Sequence, residues 1–279
     1  MAERTGINFS KTCQSIFNSL IHTPNTVNSV ISCIHFQLTI ATNMTPFIAE
    51  FTGTAILLIL GDGVVANVVL NKTKGNNGGL IAITLGWAMA VFVSVYITSA
   101  ASGAHLNPAV TLALAIAGKF SWSLVPAYCA AQLLGAMLGA AIVWITYRRH
   151  FDETPDPSTQ LAVFCTSPAI RAGSDNFWAE TVATCVFVIG VLFITGAEHS
   201  LGSLNALPVA FLVLAIGLSL GGPTGYAINP ARDLGPRIVH ALVPMKNKGT
   251  SDWGYAWLPV VAPLAGAALG AWLYMQFLQ

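Results

Sequence analysis

From residue 46 onward the chain alternates long apolar runs with short polar stretches. Six runs, 46–70, 79–101, 122–147, 176–196, 205–222 and 255–277, approach the roughly 20 residues that an α-helix needs to cross a bilayer. They are continuously apolar rather than alternating, which excludes a membrane β-barrel. The pattern predicts helices, whose backbones satisfy their own hydrogen bonds in lipid. Two further stretches break it. "SGAHLNPAVTLALAIAG" (102–118) and "GYAINPARDLGPRIVHAL" (225–242) each carry an Asn-Pro-Ala tripeptide, Asn107-Pro108-Ala109 and Asn229-Pro230-Ala231. Asn-Pro starts a helix, because Pro fits the first turn, where its missing N–H costs nothing. The segments that follow are too short to span a membrane, so they predict two half-helices whose irregular approaches must line a cavity or be buried in protein.

The pattern also repeats. "IAEFTGTAILLI" (48–59) and "WAETVATCVFVI" (178–189) open corresponding spans with Ala-Glu, and Asn-Pro-Ala follows 57 residues after Glu50 and 49 after Glu180. Each unit, 46–147 and 176–277, therefore reads as span, span, broken segment, span. An odd number of spans per unit inverts the second half relative to the first, which places a shared site near mid-membrane. The expected organisation is a membrane domain over 44–279 preceded by a Ser-, Thr- and Asn-rich stretch over 1–43. That stretch has three readings: a disordered tail, a surface-lying helix built on Phe9, Cys13, Ile16, Phe17, Leu20 and Ile21, or sequence upstream of a true start at Met44.

Composition agrees with the pattern. Hydrophobic residues make up 54% and charged residues 8%, against about 25% charged in a soluble domain, so the surface cannot be clothed for water. A net charge of +1 gives no basic footprint for nucleic acid. The five cysteines, Cys13, Cys33, Cys129, Cys165 and Cys185, lack metal-ligand spacing, and nothing else in the sequence asks for a metal or cofactor. Lys72, Lys74, Arg148, Arg149, Arg171, Lys246 and Lys248 outweigh Lys119. By the positive-inside rule that count puts the termini outside.

"SGAHLNPAV" and "GYAINPARDLGPR" resemble the two signature loops of the aquaporin and glycerol-facilitator family, and the resemblance covers about 46–277. It implies an all-α integral membrane fold of six transmembrane helices plus two re-entrant half-helices, arranged as inverted three-span repeats. It also implies a pore in each subunit, a homotetramer in the plasma membrane, and cytoplasmic termini, against the charge count. In this family four positions form the constriction. By spacing they are Trp87, Gly217, Tyr226 and Arg232, a set similar to that of the glycerol-conducting branch; Asp233 after Arg232 is a further trait of that branch. The resemblance implies that Glu50 and Glu180 accept hydrogen bonds from N–H groups of the two loops. The carbonyls of Gly103, Ala104 and His105, and of Thr224, Gly225 and Tyr226, would then face the lumen. The implied activity is passive diffusion of glycerol and other small neutral solutes, urea and other polyols among them, with water, and with ions and protons excluded.

The residues support that reading physically. Gly217 leaves room that a His would close, Trp87 and Tyr226 offer an apolar corner, and Arg232 supplies a fork of donors to hydroxyl oxygens. Asn107 and Asn229 would donate amide protons to passing oxygens, and two half-helix N-termini would disfavour cations. Asp233 is expected near a loop as a support for Arg232, His240 and His199 near loops, and Lys72 as a partner for Asp62. "GAMLGA" (135–140) and "GAALGA" (266–271) predict close helix packing. Two rivals remain. "GLSLG" (217–221) matches Gly-x-Ser-x-Gly of serine hydrolases but lacks a strand–turn–helix setting and an evident His base. An ion-coupled carrier would need a titratable group or a cation cage at the site, for which Arg232 is unsuited.

Overall fold

A computed structural model describes residues 44–195, 201 and 204–277; the readings of 1–43 and of His199 lie outside the described residues. The described residues form nine α-helices and a 3-10 turn. Helix α1 is Pro46–Val69, started by Thr45, whose hydroxyl accepts the Ile48 N–H at 3.3 Å, with Pro46 in the first turn. Helix α2, Gly79–Ser102, ends on Gly103 at φ 81°, a left-handed stop that glycine adopts freely. Asn107 and Asn229 cap the half-helices α3, Pro108–Ile116, and α8, Pro230–Leu242. Between them lie α4 (Val125–Asp152, continuing the turn Trp122–Leu124), α5 (Pro157–Phe164), α6 (Gly173–Thr195) and α7 (Leu207–Leu220); α9, Leu258–Phe277, closes the chain.

Helices α1, α2, α6 and α9, and α4 together with its leading turn, are long and apolar enough to cross a membrane. The sixth predicted span, 205–222, is helical only over the 14 residues of α7, about 21 Å at 1.5 Å per residue. Pro208 fixes its first turn and the Gly221–Gly222 pair releases its end. Helix α4 runs past the expected 147 to Asp152, because its polar last turns keep their helical hydrogen bonds beyond the apolar zone. Helix α5 was not foreseen. Asp156 caps it, accepting from the N–H groups and hydroxyls of Ser158 and Thr159, and those bonds, Ser158's hydroxyl first, hold its carboxyl down at about 2.

Packing repeats with the sequence. Helix α4 lies on α1 and α9 on α6, each through two glycines. A Cβ on Gly139 would stand 2.6 Å from the Ala55 carbonyl oxygen, and one on Gly270 would stand 2.9 Å from that of Cys185; Gly135 and Gly266 face the Phe51 and Thr181 carbonyls in the same way. The small-residue stripes thus let backbones touch, as their pattern predicted. The half-helices then cross over: α3 packs on α9 and α8 on α4, so each is held by the long helix of the other repeat. Large apolar side chains such as Ile81, Ile145, Leu242 and Phe277 face outward, a cost in water and none in lipid.

Overpacking a close contact costs about 1–3 kcal/mol. Gly139→Val will therefore lower the thermal midpoint of the purified protein, whereas Gly63→Ala, with open space around its Cβ, will leave it unchanged or raise it. Equal midpoints for the two variants would contradict this packing.

Candidate functional site

Two unwound loops meet where α3 and α8 begin. The Asn107 side-chain amide donates to the Ile228 carbonyl and the Asn229 amide donates to the Leu106 carbonyl, both at 2.9 Å. Each Asn also turns its side-chain oxygen back on its own helix, to the N–H of Ala109 at 2.8 Å and to those of Ala231 and Arg232 at 3.0 and 3.2 Å. Each asparagine therefore caps its helix with one end and ties it to the opposite loop with the other. The amino ends of the half-helices abut.

The loops share a strained course. Ala104 and Leu106 sit at φ 50° and 51°, and Tyr226 and Ile228 at 40° and 43°, each costing about 1–3 kcal/mol for a non-glycine residue. Two fully buried carboxylates hold this course in place. Glu50 accepts the N–H groups of His105 at 2.9 Å and Leu106 at 2.7 Å, with Ser102 and Gln132 also donating to it. Glu180 accepts those of Ala227 at 2.9 Å and Ile228 at 3.1 Å, and the Thr224 hydroxyl. The His105 ring points away into Phe120 and Tyr128, bonded through Nδ1 to Thr111.

Between the loops runs a cavity of about 110 Å³ whose wall includes the stretch Gly103–Asn107, the stretch Tyr226–Asn229, Trp87 and Arg232. The Thr224 hydroxyl is drawn to Glu180, and Gly225 packs beside Thr166. Arg232, nearly buried, lies over the Trp87 ring at 4.4 Å, a cation–π contact. The space beside Gly217 holds the Tyr226 ring: a Cβ there would stand 2.9 Å from Tyr226 Cζ and 2.7 Å from Thr84 Cγ2.

Asp233 and His240 lie against loops as expected, though both are fully buried in α8: Asp233 meets Thr166, between α5 and α6, and His240 Nδ1 lies 2.8 Å from the Ser251 hydroxyl, between α8 and α9. Two other expectations are corrected. Asp233 does not support Arg232 directly. It pairs with Arg237 at 2.7 Å and accepts from Thr166 through N–H and hydroxyl at 2.8 and 2.6 Å, while Arg237 bonds the carbonyls of Ser251 and Thr166. Lys72 pairs with Glu153 at the surface, not with Asp62. Gln132 and Arg237 were missed; a polar side chain within an apolar span was the available signal for Gln132.

Inverted repeats, abutting half-helices and a cavity between them define the class of multispanning membrane channels and transporters. The chain matches the family model for major intrinsic protein over residues 37–274 and belongs to that family. It is 56% identical over 231 residues to a probable glycerol uptake facilitator protein of Thermotoga maritima, covering 83% of this chain and 98% of that one. It is 54% identical over 227 residues to glycerol uptake facilitator protein 3 of Lactiplantibacillus plantarum, covering 81% and 94%. The solved aquaglyceroporin of Plasmodium falciparum superposes with a TM-score of 0.73 at 33% identity, over 83% of this chain and 95% of that one.

Glu180→Gln puts an NH2 group against N–H donors. The loss of a charge-assisted acceptor, about 2 kcal/mol, should lower the thermal midpoint by about 5 °C. An unchanged midpoint would mean that the loop does not depend on this carboxylate.

Proposed function

We propose that the protein is a passive channel for glycerol and similar small neutral solutes, urea and other polyols among them, with water passing through the same pore. The observation that carries this reading is the meeting of Trp87, Tyr226 and Arg232 in one cavity lining, with Arg232 lying over the Trp87 ring. A polyol carries carbon on one face and hydroxyls on the other, and this waist meets both: the aromatic faces receive the carbons and the guanidinium donates to the oxygens. Water alone needs no apolar corner.

The carbonyls of Gly103, Ala104 and His105, and of Thr224, Gly225 and Tyr226, serve as acceptors along the path, with Asn107 and Asn229 as donors at its middle. The positive ends of α3 and α8 and the charge on Arg232 repel cations and protons. Arg232 is the one permanently charged residue in the described cavity wall, and a fixed cation favours a passive channel over ion-coupled transport. The relatives named as glycerol facilitators support the same substrate class. A homotetramer belongs to this reading. Helix α2 has 28% of its span buried against 39–56% for the other long helices, leaving an apolar face for a neighbouring subunit.

In proteoliposomes under an osmotic glycerol gradient, the protein will speed reswelling well above that of empty vesicles, whether or not proton and sodium gradients are collapsed. Gly217→Ala pushes the Tyr226 ring toward the lumen. It should cut glycerol flux about tenfold, the scale of one methyl in a tight pocket, and reduce water flux far less. Equal loss of both fluxes would contradict the constriction, and flux that vanishes with the ion gradients would point to a carrier.

A further inference from the structure

A second hollow lies away from the pore. It is an open groove of about 630 Å³, lined by Ile145, Arg148, Arg149 and Asp152 of α4 and by residues 244–246 after α8, a size common among ligand sites. Its two walls come from different repeats and are built alike. On α4, Ile145 is exposed, and Arg149 follows four residues later, one turn further along the same helical face. At the end of α8, Leu242 is 73% exposed, and Lys246 follows four residues later. Each wall therefore passes from an outward apolar side chain to a cation. In a membrane that order puts Ile145 and Leu242 in hydrocarbon and the cations at headgroup depth. Arg148 lies over the Trp144 ring at 5.5 Å, an aromatic of the kind that marks this depth.

The charges of the groove do not cancel. Three cations, Arg148, Arg149 and Lys246, face one carboxylate, Asp152. Arg149 reaches Asp152 only at 4.0 Å, with its side chain 94% exposed, and such a pair is worth little. Arg148 and Lys246 enter no ion pair among the described residues. Glu153, the next acid along, is taken by Lys72. The backbone beneath is held firmly. Gln160 Nε2 donates to the Lys246 carbonyl at 2.8 Å and to that of Thr154 at 2.7 Å, which ties the loop after α8 to the end of α4. Lys248 caps α8 through the carbonyls of Ala241 and Val243. The Lys248 ammonium is thus engaged within the protein, and that of Lys246 is turned to the groove.

We propose that this groove binds an anionic phospholipid, its phosphate held by Arg148, Arg149 and Lys246 and an acyl chain lying along Ile145 and Leu242. The uncancelled cations select an anion, and the guanidinium forks suit phosphate oxygens. The apolar side chains leading into both walls select a lipid over a free anion, which would leave them bare. A zwitterionic lipid would bring a cation of its own against three others. The bound lipid joins α4 of the first repeat to the end of α8 in the second, so it stabilises the folded arrangement by mass action. The groove is carried by α4 and α8, not by α2, whose apolar face was assigned to a neighbouring subunit. The proposal holds whatever solute the pore conducts.

The experiment is native mass spectrometry of the purified full-length protein, titrated with phosphatidylglycerol or with phosphatidylcholine of the same chains. The thermal midpoint in detergent is the second readout. The parent will bind phosphatidylglycerol about tenfold more tightly than phosphatidylcholine. Phosphatidylglycerol will also raise the midpoint, and inorganic phosphate at the same concentration will not. One basic residue at a membrane surface is worth about fivefold in binding. Arg149→Gln and Lys246→Gln will therefore each weaken phosphatidylglycerol binding about fivefold, and the triple variant with Arg148→Gln added will lose the preference. Lys74→Gln, outside the groove, will keep it. The three side chains are exposed, so the lipid-free midpoint of the triple variant will match the parent; should that variant not fold, the two single variants decide the matter. Equal binding of the two lipids by the parent, single variants with parent affinity, or a preference that survives in the triple variant would each overturn the proposal. So would protection by inorganic phosphate equal to that by lipid, the mark of a free-anion site. A Lys246→Gln variant that changes the oligomer mass but not the bound lipid would place a second copy of the chain in the groove and overturn it as well.

Discussion

Hydrocarbon offers no hydrogen bonds, so an unwound peptide at mid-membrane must find every partner within the protein. The rest of the molecule is arranged around that constraint. Two loops approach each other without helical bonds of their own, and Glu50 and Glu180 take up their N–H groups in pairs. The asparagines then exchange bonds between the loops. With N–H groups of both loops satisfied from behind, cavity-facing stretches of both loops are left to a solute.

Much of this was legible in the sequence, for a definable reason. Asn-Pro-Ala is a local signal: the cap, the missing N–H and the short apolar run that follows all lie within a dozen residues, and a second copy in a repeated setting announces the symmetry. The Ala-Glu pairs were legible because a carboxylate within an apolar run demands a partner. What escaped were contacts set by tertiary packing. Nothing near Asp233 says that it will choose Arg237, one turn along its own helix, over its neighbour Arg232. Nor does the sequence around Gly217 show that Tyr226 fills the room it leaves. Helix α5 was hidden because its eight residues carry no spanning run; the Asp156-Pro157 start was its signal.

The waist is built in layers, and each layer depends on one behind it. Gly61 lets Trp87 lie flat, and Trp87 supports Arg232. Gly217 and Gly221 together seat the Tyr226 ring, the latter with a would-be Cβ 3.0 Å from Tyr226 Cε1. Absent side chains on α1 and α7 thus fix the present ones at the lumen. These glycines meet the rings of Trp87 and Tyr226, so a substitution at any of them will act on the proposed waist through a neighbour. The Asp233–Arg237 pair and the Thr166 contacts tie the start of α8 to the segment between the repeats, so the position of Arg232 is coupled to the joint between the two halves.

The most direct test of this account is an experimental density map of the protein in a lipid nanodisc with glycerol present. The account predicts solute density in single file through the cavity, passing between Asn107 and Asn229, with carbons against Trp87 and Tyr226 and oxygens toward Arg232 and the loop carbonyls. Solute bound elsewhere, or loops lying apart with Asn107 no longer bonded to the Ile228 carbonyl, would contradict it.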